Sequence, residues 1–262
     1  MSVARFTSVG IANSSNTPQD DIVAEALDLV SLGQTEGVTL RLIGGVAIRV
    51  RGTGQYPPIA RSYKDIDLIA ARHASSKLPT MFSRRGYTQD EQFNAMHGHF
   101  RQIYYDRVHG RQVDVFVGRF EMCHSLPIAD RLHLHPITAS VADLLLSKLQ
   151  IFELNDKDQR DLLALVLDHE IGGGSDAIDG SYVARLCAGD WGLWRTCTRN
   201  LDRLSLVLGQ YELSTEQKAV VTARLKELQE KIAGHSKSLR WQARAVVGER
   251  LQWYELPEEV EQ

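Results

Sequence analysis

Residues 61–70, RSYKDIDLIA, restrict the possible folds of this chain more than any other segment. Asp65 and Asp67 stand one residue apart at the start of an apolar run that is typical of a buried strand. Residues i and i+2 of a strand project from the same face, and a carboxylate is costly to bury without a partner. The segment therefore predicts a strand at the edge of a core, with a cation such as a divalent metal ion beside it.

A third acidic residue occurs in the same kind of context. Asp114 lies in the apolar run at residues 112–117, and a similar run at 100–105 precedes it across a polar segment that contains glycine. This pattern predicts a β-hairpin. Three carboxylates on neighbouring strands can hold two metal ions about 3.5–4 Å apart, an arrangement that suits in-line phosphoryl displacement. Asp65, Asp67 and Asp114 thus indicate a site for two Mg²⁺ ions, in which Mn²⁺ can replace Mg²⁺.

The pair Gly44-Gly45 separates a short β-rich run from what reads as the first turns of a helix. Glycines allow the backbone to approach a phosphate closely, and a helix N-terminus offers free N–H donors. Arg61 could donate two hydrogen bonds to a triphosphate, or could equally pair with a neighbouring acid. A glycine pair and a D-x-D pair are each weak signals, but their order along the chain favours a nucleotide and metal site over solvated strand ends.

The segments LIGGVAIRV, RSYKDIDLIA and VDVFVG together resemble the DNA polymerase β-like nucleotidyltransferase superfamily. The later stretch ADLLLSKLQIFELNDKDQRDLLAL is similar to the K…KD..DL pattern of the AbiEii-type branch, which includes toxins of toxin–antitoxin pairs. The resemblance covers about residues 40–165. It implies a mixed sheet with helices and Mg²⁺-dependent transfer of a nucleoside monophosphate from an NTP to an acceptor. A tRNA or other RNA, a small molecule or a protein would suit as acceptor, and an antitoxin protein is an expected partner.

The resemblance also implies roles for individual residues. Asp65 and Asp67 match the two metal ligands, and Asp114 matches the acid that helps to deprotonate the acceptor. Four residues match positions at the nucleotide: Gly44, Gly45, Lys148 and Asp158.

The chain departs from the family pattern between its glycine pair and its acidic pair. Nineteen residues separate Gly45 from Asp65, which is longer than the usual gap. GTGQYPPIA is the apparent insertion, and it either reshapes the nucleotide pocket or forms a surface loop. Tyr63 stands where this branch often has Ser or Thr. Neither change affects a carboxylate, so the predicted metal site is retained.

Ordinary structural roles compete with the functional ones on the helical segments. Most lysines on helices are exposed surface residues, and Lys148 by itself would be expected to be one of them. Asp158 and Asp161 are three residues apart on one helical face, a spacing that equally suits salt bridges with Lys157 or Arg160.

The pattern of the chain changes near residue 136, from mixed strand and helix signals to helical periodicity alone. We therefore predict an α/β (α+β) fold: a nucleotidyltransferase-type mixed sheet with flanking helices in a catalytic domain at residues 1–135. An all-helical domain at 136–262 is expected to follow and to close the cleft.

Composition excludes several other classes of protein. The net charge of −3 argues against a general polyanion binder, although residues 214–250 carry a local basic excess. Three cysteines without a C-x-x-C motif argue against a disulfide framework and a zinc site. No apolar run approaches the ~20 residues of a membrane span, and the polar residues 1–17 are unlike a secretory signal. These features favour a cytoplasmic protein with no membrane partner.

Two other functions remain open at this point. One is a binding protein that keeps the fold without catalysis and acts through a partner. The other is a metal-dependent nuclease that uses the same carboxylates on a phosphodiester, which the glycine pair ahead of D-x-D disfavours.

Overall fold

Five short β-rich runs of the chain form one mixed sheet in the computed structural model, which describes residues 17–256. The sheet order is β1-β2-β5-β4-β3, and β2 and β5 are its only parallel pair among the described residues. The strands are β1 (Leu40–Ile43), β2 (Ile66–Ala70), β3 (Thr88–Gln89), β4 (Arg101–Asp106) and β5 (Arg111–Val117). The predicted mixed α/β class is therefore confirmed.

The central strands β2 and β5 are almost continuously buried, as is typical of strands inside a sheet that helices cover. Their parallel register places Asp67 directly beside Asp114. β4 and β5 form the predicted hairpin, closed by the pair Asp106 and Arg111. The expectation that the acidic residues would lie on neighbouring strands is thus confirmed for Asp67 and Asp114.

Helices occupy most of the rest of the described chain. Four of them alternate with the strands of the sheet: α1 (Ile22–Thr35), α2 (Gly44–Arg51), α3 (Leu78–Arg84) and α4 (Glu91–His97). A small hairpin of β6 (Phe120–Glu121) and β7 (Ser125–Leu126) follows β5. Six more helices come after it: α5 (Val141–Leu149), α6 (Asp156–Asp168), α7 (Gly180–Gly189), α8 (Trp191–Val207), α9 (Thr215–Gly234) and α10 (Leu239–Val247).

The segment that joins the sheet to the later helices lies along the free edge of β1. The Leu42 N–H donates to the Ile137 carbonyl at 2.9 Å, and the Ala139 N–H donates to the Leu42 carbonyl at 2.9 Å. α5 and α6 then pack against α2, and one apolar core includes residues of the sheet and of these helices. This packing brings side chains of α5 and α6 to the glycine pair at the start of α2.

No helix within residues 17–256 is long and apolar enough to cross a membrane. The prediction that residues 1–17 are not a secretory signal concerns a segment that, apart from Thr17, lies outside the described residues. Residues 257–262 of the predicted helical domain also lie outside them.

Candidate active site

The Asp67 carboxylate lines a small pocket at the start of β2. Gly44, Asp114 and Lys148 also line this pocket, whose volume is about 100 Å³. Whole organic ligands usually occupy pockets of about 300–1,000 Å³. The enclosed part of this pocket therefore suits metal ions and phosphate groups, with the remainder of a larger ligand outside it.

Asp67 has no hydrogen bond or ion pair in the part of the chain that the structure describes. Burial first and the neighbouring Asp114 second raise the pKa of its carboxyl, against the opposing charge of Lys148, to about 7. A bound cation would remove this conflict, because it favours the ionised form. The Asp67 carboxylate therefore has oxygen atoms that no group of the described residues occupies, as a metal ligand requires.

The glycine pair makes the close approach to this carboxylate possible. Gly44 has a φ of +65°, and a β-carbon at its position would overlap the Asp67 carboxylate. A β-carbon on Gly45 would overlap the Arg61 guanidinium. Any other residue pair would fill the space between α2 and these two side chains. The bare backbone at the start of α2 thus lets the Asp67 carboxylate and the Arg61 guanidinium lie directly against it.

Lys148 reaches the same pocket from α5 and is held there by α6. Its Nζ lies 2.8 Å from Asp158 Oδ1 and 3.1 Å from Asp161 Oδ2, and its side chain is 14% exposed. Burial lowers the pKa of Lys148, but Asp161 and Asp158 more than offset this, and Asp67 adds to the upward shift. Lys148 is therefore a positioned cation that faces Asp67, not a surface lysine.

Arg61 joins the same network from the loop before β2. Its Nε and Nη2 donate to the two oxygens of Asp161, each at 2.7 Å, which is a bidentate pair. The Asp161 side chain is 2% exposed. The sequence left two partners open for Arg61, a triphosphate or a neighbouring acid, and in the structure Arg61 pairs with an acid. The structure brings Arg61, Lys148 and Asp158 together around Asp161.

Asp114 differs from Asp67 because it already has a cationic partner. Arg101 Nε lies 3.0 Å from each carboxylate oxygen of Asp114, and Arg101 Nη2 lies 2.5 Å from Oδ2. Burial raises the pKa of Asp114, and the Arg101 guanidinium opposes that shift. To bind a second metal ion or accept a proton, Asp114 must share its oxygens with Arg101 or lose that partner.

Asp65 directly precedes β2 and is exposed. Desolvation raises the pKa of its carboxyl, while Lys157 and Lys64 oppose the shift. Within residues 17–256 no three His, Cys, Asp or Glu side chains are grouped closely enough to hold a metal ion, so the three carboxylates do not form such a group. Mg²⁺ usually takes one or two carboxylates and completes its shell with water and phosphates. The donors present therefore fit one ion at Asp67, beside Asp114.

Arg101 and Asp161 are the two site residues that the sequence did not identify. The hairpin prediction does place residue 101 opposite the C-terminal half of β5, where Arg101 pairs with Phe116 in the register. Asp161 has a weaker signal, its three-residue spacing from Asp158 on one helical face.

Searches of the chain against protein-family models and against curated proteins found no match. The function is therefore inferred from the residues of this chain alone.

Proposed function

We propose that this chain is a Mg²⁺-dependent nucleotidyltransferase with a DNA polymerase β-like catalytic core, which transfers a nucleoside monophosphate from an NTP to an acceptor hydroxyl. The observation that carries the proposal is the unpartnered Asp67 carboxylate between the Gly44 turn and Lys148. A carboxylate without a protein partner, a helix start with free N–H groups and a positioned lysine are groups that can bind a metal-bound triphosphate.

Each group would have a distinct part in the reaction. Asp67 would hold Mg²⁺, which when bound neutralises charge on the triphosphate. The free N–H groups at the start of α2 and the Lys148 ammonium would bind phosphate oxygens and orient the α-phosphate for in-line attack, with pyrophosphate as the leaving group. Asp114 would accept the proton of the attacking hydroxyl. Asp161 would hold Lys148 and Arg61 in place, as Asp158 does for Lys148.

A specific observation favours a second function. Arg101 occupies both oxygens of Asp114, the carboxylate that the transfer reaction needs as a proton acceptor. A binding protein that keeps the nucleotide pocket without catalysis, and acts through a partner such as an antitoxin, would tolerate this pairing. Such a protein would bind Mg·NTP or its partner and would transfer nothing.

Label transfer tests the proposal directly. Purified protein with Mg²⁺ is incubated with each α-labelled NTP and with total RNA, total protein or a mixture of hydroxylated antibiotics as acceptor. We expect label on one acceptor class, lost in Asp67→Asn and kept in Glu212→Gln, which changes an exposed acid remote in sequence from the pocket residues. Label on no acceptor, together with Mg·NTP binding by the same preparation, would favour the non-catalytic function. RNA cleavage without added NTP would instead indicate a nuclease.

A further inference from the structure

A second pocket lies beside the candidate active site, on the side of α2 that Arg61 and Tyr63 cover. Its volume is about 350 Å³, within the range of pockets that hold small organic molecules. Its walls come from the middle of α2, from the end of α6 and from the loop at residues 52–63. We name it the loop pocket. This loop contains the whole GTGQYPPIA segment, for which the sequence left open either a reshaped nucleotide pocket or a surface loop.

The loop that forms this pocket is anchored to α6. Asp168 Oδ1 accepts hydrogen bonds from the Thr53 hydroxyl at 2.8 Å, the Gly54 N–H at 2.8 Å and the Tyr56 hydroxyl at 2.9 Å. Arg160 Nη1 donates to the Pro58 carbonyl at 2.9 Å. Three donors on one carboxylate oxygen hold both the backbone and the Tyr56 ring. The cavity is therefore built by a held loop and is not a gap beneath a loose one.

The groups that line the loop pocket select a particular ligand chemistry. Tyr56 and Tyr63 supply two aromatic rings, and Ile48 and Ile59 supply apolar surface. Arg49 projects from α2 at the rim, is exposed, and has no hydrogen bond or ion pair within residues 17–256. Rings and apolar surface favour a planar aromatic group, and an arginine without a partner favours a phosphate or carboxylate.

The two pockets are separate. They share no lining residue in the described part of the chain, and Arg61, whose guanidinium lies against the Gly45 backbone and 4.2 Å from the Tyr63 ring centroid, lines only the loop pocket. Asp67, Asp114 and Lys148 line only the first pocket. A ligand in the loop pocket would therefore need neither a metal ion nor Asp67.

We propose that the loop pocket is a second small-molecule site, which binds a planar aromatic ring joined to a single phosphate or carboxylate group. The Arg49 guanidinium binds the anionic group, and the rings of Tyr56 and Tyr63 contact the planar one. This site is independent of the proposed transfer reaction.

Isothermal titration calorimetry in EDTA tests this site without metal chemistry. The probes are the four ribonucleoside 5′-monophosphates for the phosphate class and 2-naphthoate for the carboxylate class, with adenosine as the uncharged comparison. The variants are Arg49→Gln, Arg49→Glu and Tyr63→Leu in the loop pocket. Asp67→Asn tests the first pocket, and Arg203→Gln is the control for loss of an exposed arginine without an ion pair among the described residues.

We expect at least one anionic probe to bind the wild-type chain, with adenosine about tenfold weaker or more. Arg49→Gln and Tyr63→Leu should each weaken that binding by about tenfold, and Arg49→Glu should abolish it. Asp67→Asn and Arg203→Gln should retain it. The proposal is overturned if no probe binds, if Arg49→Gln binds as tightly as wild type, or if Asp67→Asn loses as much affinity as Arg49→Gln. If label transfer fails but the anionic probe still binds as expected, the proposed function is contradicted and the loop-pocket proposal stands.

Discussion

Replacing Asp67 by asparagine should stabilise the protein, although the change is expected to abolish activity. Burial raises the pKa of Asp67 from 3.8 to about 7, so the folded state holds a proton that the unfolded chain releases near pH 4. Between these two values the folded state binds more protons than the unfolded state, and stability falls as pH rises. Above about pH 7 the carboxylate is ionised in both states, and the folded state then bears the full free-energy cost of the buried charge.

The size of this penalty follows from the shift. A rise from 3.8 to about 7 corresponds to about 4 kcal/mol. This is an upper bound, because the Asp67 side chain keeps partial contact with solvent. We expect Asp67→Asn to be about 2–4 kcal/mol more stable than wild type at pH 8, which is roughly 5–10 °C in Tm for a chain of this size.

Urea unfolding of both proteins, at several pH values and without divalent metal, measures the effect. The stability gap between Asp67→Asn and wild type should widen from about pH 4 to pH 7 and then stay constant. Glu212→Gln, which changes an exposed carboxylate, should show no such gap. A variant no more stable than wild type at pH 8, or a gap that does not change with pH, would refute the argument that Asp67 lacks a partner.

Three further substitutions test neighbouring features of the site. Gly44→Ala should destabilise the protein by more than ~2 kcal/mol in urea unfolding, because a φ of +65° is strained for alanine and the added β-carbon overlaps Asp67. The control is Gly110→Ala, which has the same φ of +65° but open space around it, and which should cost only the ~1–2 kcal/mol of backbone strain. Equal losses of stability in the two variants would contradict the overlap with Asp67. Asp161→Asn should cost about 3–5 kcal/mol, because Arg61 and Lys148 lose their shared buried partner. Its control, Asp156→Asn, removes an exposed partner of Arg160 and should cost less than ~1 kcal/mol, so comparable thermal shifts in the two variants would count against the network. Asp168→Asn should increase protease cleavage within residues 52–63, since one oxygen of Asp168 accepts three hydrogen bonds from that loop; cleavage at the wild-type rate would mean that the loop is held otherwise.

The central part of the site could be predicted from the sequence because its signals are local. An apolar run with an acid at its second position predicts a buried strand, and two such runs with a hairpin predict neighbouring strands. The observed register of Asp67 beside Asp114 agrees with this. The position of the glycine pair between a strand and a helix was also a local signal, and the structure agrees, since β1 ends at Ile43 and α2 begins at Gly44.

The partners of the charged groups could not be predicted in the same way. Arg101 reaches Asp114 across the β4–β5 hairpin, and which cation meets which carboxylate depends on register and side-chain conformation together. Asp161 meets Arg61 one hundred residues away only because α6 packs against the loop before β2. The sequence pattern therefore indicated which acids belong to the site, whereas tertiary packing decides which of them remains without a partner.

The pairing of Arg101 with Asp114 leads to a last prediction, on metal affinity. Arg101 occupies the two carboxylate oxygens with which Asp114 would bind Mg²⁺. Arg101→Met should therefore increase the affinity of the chain for Mg²⁺, because the ion no longer competes with a guanidinium for these oxygens. Stabilisation by a ligand equals RT ln(1 + [L]/Kd), so a tenfold gain in affinity adds about 1.4 kcal/mol at saturating Mg²⁺. Thermal unfolding over a Mg²⁺ titration measures this, with Arg101→Met/Asp114→Asn as the control that should lose the gain. A gain that persists in the double variant would place the ion at Asp67 alone, and weaker Mg²⁺ binding in Arg101→Met would contradict competition between the metal and Arg101.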